Sequence, residues 1–216
     1  MSEAFTPSLP AADLADGAAA AAATLSRKRP RPGERRIQIL RALAAMLEKP
    51  GADRVTTAAL AARLEVSEAA LYRHFASKAQ MFEGLIDFIE ESVFSLIDQI
   101  LEKERVGTLQ AAQIVAMLLH FSERNPGMTR VMVGDALVFE NDRLQQRMNL
   151  FFDKVEATLS QSLRAGAHAD SEGEDGSPAQ ASMLTAFVVG RMQRYARSGF
   201  RRAPSEYLDA SLARIL

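Results

Sequence analysis

The sequence predicts an all-α protein, a three-helix head at the N-terminal end followed by a longer helical body. Three observations predict it. Apolar residues recur at i, i+3 and i+4 along most of the chain, and no stretch sustains the period-two alternation of a half-buried strand. Helix-breaking residues fall between the periodic segments, at Pro50-Gly51, Gly107 and Asn125-Pro126-Gly127. Charge is divided as a head and a body would divide it. Residues 27–80 hold twelve Lys/Arg against five Asp/Glu, a net of +7, whereas residues 1–26 carry −3 and residues 81–216 carry −5. A basic segment on an acidic chain is how a phosphate-binding head looks, although charge alone fits a solvated surface equally well.

Composition narrows the function classes. The 216 residues are 48% hydrophobic and 25% charged, as in an ordinary globular protein, and include no cysteine, which excludes disulfides and thiolate metal sites and fits a reducing cytosol. His74, His120 and His168 lie far apart in sequence, without metal-ligand spacing. No Ser/His/Asp signature, Gly-rich phosphate loop or HExxH motif is present, so neither an enzyme nor a cofactor or metal is expected. No apolar run approaches the roughly 20 residues of a membrane span. Met1 to Leu25 contains Glu3, Asp13 and Asp16 but no Lys or Arg, so its alanine run reads as a disordered tail rather than a signal peptide, and a cytoplasmic location is expected.

The elements follow in order. A first helix is expected from about Glu34 to Glu48, with Ile37, Leu40, Ala44 and Leu47 as its apolar stripe and Pro50-Gly51 as its stop. A second runs from an N-cap at Thr57 to about Leu64, and a third from the N-cap Ser67 to His74. A long fourth helix follows Ser77 and reaches about Glu104; a fifth spans Thr108 to Arg124. Shorter helical material is expected over 128–138, then a long helix over 140–165. The acidic, Gly- and Ser-containing segment 166–178 reads as a mobile loop, before two last helices at about 179–199 and 204–215.

Thr56 to Lys78 is the informative stretch, because two short helices joined by a tight turn make a helix-turn-helix. On the third helix Leu71 and Phe75 share a face and are expected to pack with Leu60, Leu64 and Val66. Ala69, Tyr72 and Arg73 turn elsewhere, with Glu68 at the helix start. A small Ala69 permits close approach to base edges, Arg73 suits guanine or a phosphate, and Tyr72 and His74 suit backbone oxygens. Ser77 and Lys78 open the next helix, where amide groups, the helix dipole and a lysine converge on one anion. The plainer reading makes Tyr72 and Arg73 ordinary surface residues of a helical hairpin. Arg27, Lys28, Arg29 and Arg31 precede the first helix as a candidate phosphate-seeking arm.

Thr57, Leu60-Ala61, Val66-Ser67, Leu71-Tyr72, His74-Phe75 and Lys78 resemble the helix-turn-helix head of the TetR family. Glu65 stands where that family usually has a turn glycine. From residue 34 to 216, and notably in FSERNPGMTRVMVGDALVFENDRLQQRMNLFFDKVEATL, the chain is similar to the nucleoid occlusion factors within that family. The resemblance implies a TetR-like fold with a tail and arm at 1–33, a DNA-binding head at 34–80 and a dimerisation and partner-binding body at 81–216. It implies DNA contacts from Arg54, Thr56, Thr57, Ser67, Glu68, Ala69, Tyr72, Arg73, His74 and Lys78. Palindromic double-stranded DNA would then be bound by a homodimer associated with the nucleoid, with larger assemblies on DNA left open. No catalysis is implied. The partner implied is FtsZ, the tubulin-like division GTPase, whose assembly such proteins oppose. A repressor released by a small molecule would use the same head.

The residues speak to a partner surface in part. With Ile89 at the centre of the fourth helix's apolar stripe, Phe88 and Phe94 fall about 100° and 140° away, as partner contacts or as core of a helix packed on two sides. The resemblance places an FtsZ contact at Phe88 and others at Met117, His120, Arg124 and Asn125. His120 replaces an expected glycine and Leu96 an expected arginine. For the dimer interface, Leu184, Phe187, Val188 and Tyr195 form an apolar stripe beside Gly190 that fits either an intersubunit bundle or packing within one chain.

Overall fold

The computed structural model describes residues 33–49, 55–166 and 176–216, and these contain helices and turns but no strand. The tail, the basic arm, Pro50-Gly51, Arg54 and most of the 166–178 segment lie outside the described residues. Pro32–Leu216 forms one compact unit.

Helix α1 (Glu34–Leu47) buries Ile39, Leu43, Ala44 and Leu47. Of the expected stripe, Ala44 and Leu47 are buried and Leu40 packs against the core, while Ile39 and Leu43 take the place of Ile37. Ile37 is 47% exposed, because α1 is apolar on more than one side and the body, not the helix's own periodicity, chooses the buried face. Helix α2 (Thr57–Arg63) is capped by Thr56, whose side chain accepts from the Ala59 amide at 3.1 Å; the cap is the first of the two threonines, not Thr57. The turn after α2 closes with Glu65 N–H donating to Ala62 O at 3.1 Å and Val66 N–H to Ala61 O at 3.0 Å. This is the Schellman pairing, which needs a left-handed residue at its centre. Glu65 supplies it at φ 53°.

Helix α3 (Glu68–Tyr72) starts at Ser67, which accepts from the Ala70 amide at 3.2 Å, and ends two residues before the expected His74. Leu71, Phe75 and Leu60 are fully buried, with Leu64 and Val66 packed against them, as the spacing predicts. Helix α4 (Lys78–Lys103) is capped by Ser77, which accepts from the Gln80 amide at 3.1 Å. Each such cap contributes about 1 kcal/mol.

Glu104 ends α4 and opens α5 (Gly107–Arg124), its carboxylate accepting from the Arg105 and Val106 amides at 2.7 and 2.9 Å. Helix α5 is the axis of the body, packed by α4, by α6 (Pro126–Met132), by α7 (Asp142–Gly166) and by α8 (Ser177–Arg197). Its Ile114, Val115 and Leu118 meet Ile89 and Val93 of α4, Val155 and Leu159 of α7, and Leu184 and Val188 of α8 in one core cluster. A 3-10 turn at Asp135–Leu137 links α6 to α7, and α9 (Leu208–Ile215) closes the chain. Helix α6 also seats the head: a Cβ added at Gly127 would lie 2.0 Å from the Ala44 carbonyl oxygen of α1, so only glycine allows that approach. The Arg130 guanidinium reaches Leu47 O, at 3.4 Å, and Asp135, at 2.7 Å.

Candidate nucleic-acid interface and partner surface

Two hydrogen bonds set the helix-turn-helix beyond its caps. Thr57 donates through Oγ1 to Glu68 Oε2 at 2.6 Å, fastening the start of α2 to the start of α3. Arg36 of α1 donates to the His74 carbonyl at 2.6 Å and stacks 4.1 Å from the Phe75 ring centroid, fixing the chain where it leaves α3. On this frame Thr56, Ser67, Glu68, Ala69, Tyr72 and Arg73 are exposed, while Thr57, His74 and Lys78 are half-buried. Tyr72, at 45% exposure, is a large aromatic on the same outward side as the small Ala69. Arg73 caps α3 in helical geometry, so its side chain still projects with the α3 register. The face therefore offers a guanidinium, a phenol and hydroxyls beside a small residue, the chemistry that reads base edges and phosphates. Arg54 lies outside the described residues.

Lys78 is placed differently from a free phosphate ligand. Its ammonium forms an ion pair with Glu140, in the connection between α6 and α7, and lies 5.6 Å from the Phe82 ring centroid. No local pattern hints at a partner 62 positions away. Arg36 and Gln80 also escape the sequence reading; Gln80 accepts from the Ala76 amide at 2.9 Å and shapes the entry to α4. The basic i, i+1 pair Arg35-Arg36 at the start of α1 is the available signal for the first.

On the body, Phe88 is 37% exposed on α4, whereas Phe94 packs against the core, edge-on to Phe151 at 5.5 Å and under Lys154 at 4.5 Å. On α5, Met117 is half-buried against the core and His120 is exposed. Arg124 is exposed and has no ion-pair partner among the described residues. Asn125 serves the fold: its amide donates to Phe121 O at 2.8 Å and its carbonyl accepts from Thr129 at 3.0 Å. Leu96 is half-buried.

His120 Nδ1 lies 3.2 Å from Glu123 Oε2. The other Glu123 oxygen accepts from the Ser205 hydroxyl and from the Ser205 amide at 3.1 Å. Burial pushes the Glu123 carboxyl up, but the Ser205 and His120 contacts together outweigh it and hold it below the usual carboxylate range. Tyr195 donates to the Glu123 carbonyl at 3.2 Å, and burial, then the Glu123 and Glu48 charges, raise its phenol.

The stripe expected at a dimer interface needs correction. Leu184, Val188 and Tyr195 are buried within the protomer, where α8 packs on α5 and α7, so they are not free to meet a second copy. Of the four residues only Phe187 is half-exposed. The outward side of α8 instead carries Ser182, Met183, Ala186 and Gly190, and a Cβ at Gly190 would meet nothing within 4 Å.

Residues 39–85 match the model of the bacterial regulatory proteins of the tetR family, and residues 103–215 that of the tetracyclin repressor-like, SlmA-like C-terminal domain. The chain is 48% identical over 182 residues to the nucleoid occlusion factor SlmA of Aliivibrio fischeri, covering 82% of this chain and 91% of that protein. It is 49% identical over 178 residues to SlmA of Escherichia fergusonii, covering 82% and 90%. Among solved structures, a TetR-family transcriptional regulator from Bordetella parapertussis is similar with a TM-score of 0.65 at 16% identity, covering 85% of this chain and 95% of that one. The fatty acid degradation regulator FadR from Bacillus halodurans gives 0.67 at 11% identity, covering 88% and 97%; both likenesses are of fold. Relatedness in sequence through head and body alike places the chain in a family: it belongs to the SlmA nucleoid occlusion factors, a branch of the TetR family.

Proposed function

We propose that this protein is a nucleoid occlusion factor that binds palindromic DNA as a homodimer through α2 and α3 and, while bound, opposes FtsZ assembly over the chromosome. The observation that carries the reading is identity of 48% to proteins of that name over a span that takes in the body as well as the head. The exposed chemistry of α3 supports DNA contact by Arg73, Tyr72 and their neighbours. Phe88 and Arg124, an exposed aromatic and a guanidinium without an ion-pair partner among the described residues, support a second surface on α4 and α5. Aromatic and arginine side chains are the types that concentrate binding energy at interfaces. Its place is the nucleoid in the cytoplasm, and no described helix is long and apolar enough to cross a membrane. Dimerisation through the outward side of α8, with Met183, Phe187 and Gly190, would set two heads on two half-sites.

A repressor released by a small ligand would need an apolar cavity with a few oriented polar groups. Among the described residues no buried side-chain nitrogen or oxygen lacks a partner, so no polar group of the core is left to orient such a ligand. Pelleting of FtsZ polymers tests the proposal. Less FtsZ should pellet when protein and a palindromic duplex are added together than with either alone; equal pelleting in all three overturns it.

A further inference from the structure

Lys78 opens α4 beside the helix-turn-helix, and its first-turn amides are unpaired by helix geometry except at Gln80, which Ser77 caps. That is an anion-binding position, yet its lysine is already held by Glu140. The Glu140 side chain is only 10% exposed and that of Lys78 24%, so the pair is partly withdrawn from water. Glu140 is held where it is by its own amide, which donates to Leu137 O at 2.9 Å, at the end of the 3-10 turn that precedes α7. Helix α7 is in turn fastened to α4: Arg143 pairs with Glu83, and Arg147 with Asp87 and Glu90 at 2.8 and 2.6 Å. The carboxylate is therefore anchored beside the lysine.

A phosphate arriving at Lys78 meets a carboxylate already on the same ammonium. Either the two anions share one cation and repel each other, or Lys78 leaves and strands a nearly buried carboxylate. Both cost affinity. We infer that Glu140 is an affinity-determining residue of the DNA-binding site, a built-in competitor for the phosphate at Lys78 that lowers binding to duplex DNA. This rests on the reading of Lys78 as a phosphate contact.

The test is Glu140→Gln, which keeps length and hydrogen bonding but removes the charge, with Glu140→Met as a second uncharged variant should the first lose its fold. Fluorescence anisotropy with a palindromic duplex is run across a salt series for wild type, Glu140→Gln, Lys78→Met and the double variant. Glu140→Gln should tighten binding by about fivefold at low salt. It should also steepen the slope of log K against log salt, by up to about 0.9 for each lysine freed to displace a counterion. Lys78→Met should weaken binding, and the double variant should show no gain over it. Unchanged or weaker binding by Glu140→Gln, with Lys78→Met still weakening, overturns the inference and leaves the lysine contact standing. An equal gain in the Lys78→Met background assigns the effect to overall charge and overturns it too. No effect of Lys78→Met removes the lysine contact itself, and the inference with it.

Discussion

The guanidinium of Arg36 donates to the His74 carbonyl at 2.6 Å while lying 4.1 Å from the Phe75 ring centroid, so α1 clamps the residues that follow α3. The donor is charged and the acceptor is a main-chain oxygen just past the end of α3. Arg36→Ala should lower stability by about 1 kcal/mol, from a charge-assisted hydrogen bond and an exposed cation–π contact. Specific DNA affinity should fall more than affinity for a scrambled duplex, since the orientation of α3 is what loosens. Urea denaturation and paired titrations check this; an equal loss on both duplexes would make Arg36 a phosphate contact instead.

Glu65 holds the left-handed position of the turn between α2 and α3 at φ 53°. A side chain there costs about 1–2 kcal/mol that glycine avoids, against a somewhat smaller entropy cost of glycine in the unfolded chain. Glu65→Gly should therefore stabilise by about 0.5 kcal/mol, whereas Glu65→Val, β-branched, should destabilise by more than that. Opposite shifts in the denaturation midpoint are the expected signature, and two shifts of the same sign would contradict the strained turn.

Arg73 is exposed at the end of α3. Arg73→Ala should weaken specific DNA binding by about 1–3 kcal/mol and leave the dimer mass unchanged. A gel-shift titration at fixed salt with unaltered affinity would remove Arg73 from the interface.

Glu123 joins α5 to the turn before α9 through Ser205 and carries a depressed pKa. A carboxylate lowered in the folded state adds stability that is fully present above the unfolded pKa, about 4.3, and is lost as pH falls through the lower folded value. Wild type should thus melt higher than Glu123→Gln at neutral pH, with the gap closing only in the acid range. A gap that persists at pH values well below both pKa values would mean packing rather than charge.

Much of the head was legible because its signals are local. Ser67 and Ser77 cap the helices that follow them, and the spacing of Leu60, Leu71 and Phe75 found the buried face. At the turn the family resemblance, which puts a glycine where Glu65 stands, marked the position that proves left-handed. Two adjacent threonines offer the same cap chemistry, and the structure gives the cap to Thr56 and the link to Glu68 to Thr57. The exposure of Ile37 on α1 and the inward stripe of α8 share a cause: each helix is apolar on two sides, and tertiary packing decides which is covered. Lys78 with Glu140 and Glu123 with Ser205 span 62 and 82 residues, and local periodicity carries no information at that range. Periodicity set Phe88 off the apolar stripe of the fourth helix without choosing between core and partner contact; the family resemblance singled it out together with Arg124, and both are exposed.

The most direct measurement separates the two surfaces in one experiment. Phe88→Ala and Arg124→Ala lie on α4 and α5, away from α3, and leave every described hydrogen bond of the head intact. Asn125→Ala is the harsher variant, because it also removes the bond to Phe121 O, and its fold is checked first by circular dichroism and dimer mass. Each variant is assayed for duplex affinity and, with that duplex present, for inhibition of FtsZ pelleting. The expected result is wild-type DNA affinity with inhibition lost in Phe88→Ala and Arg124→Ala, an arginine at a helix end being suited to a carboxylate of an acidic peptide. Full inhibition by both variants at wild-type DNA affinity would contradict a partner surface on these helices.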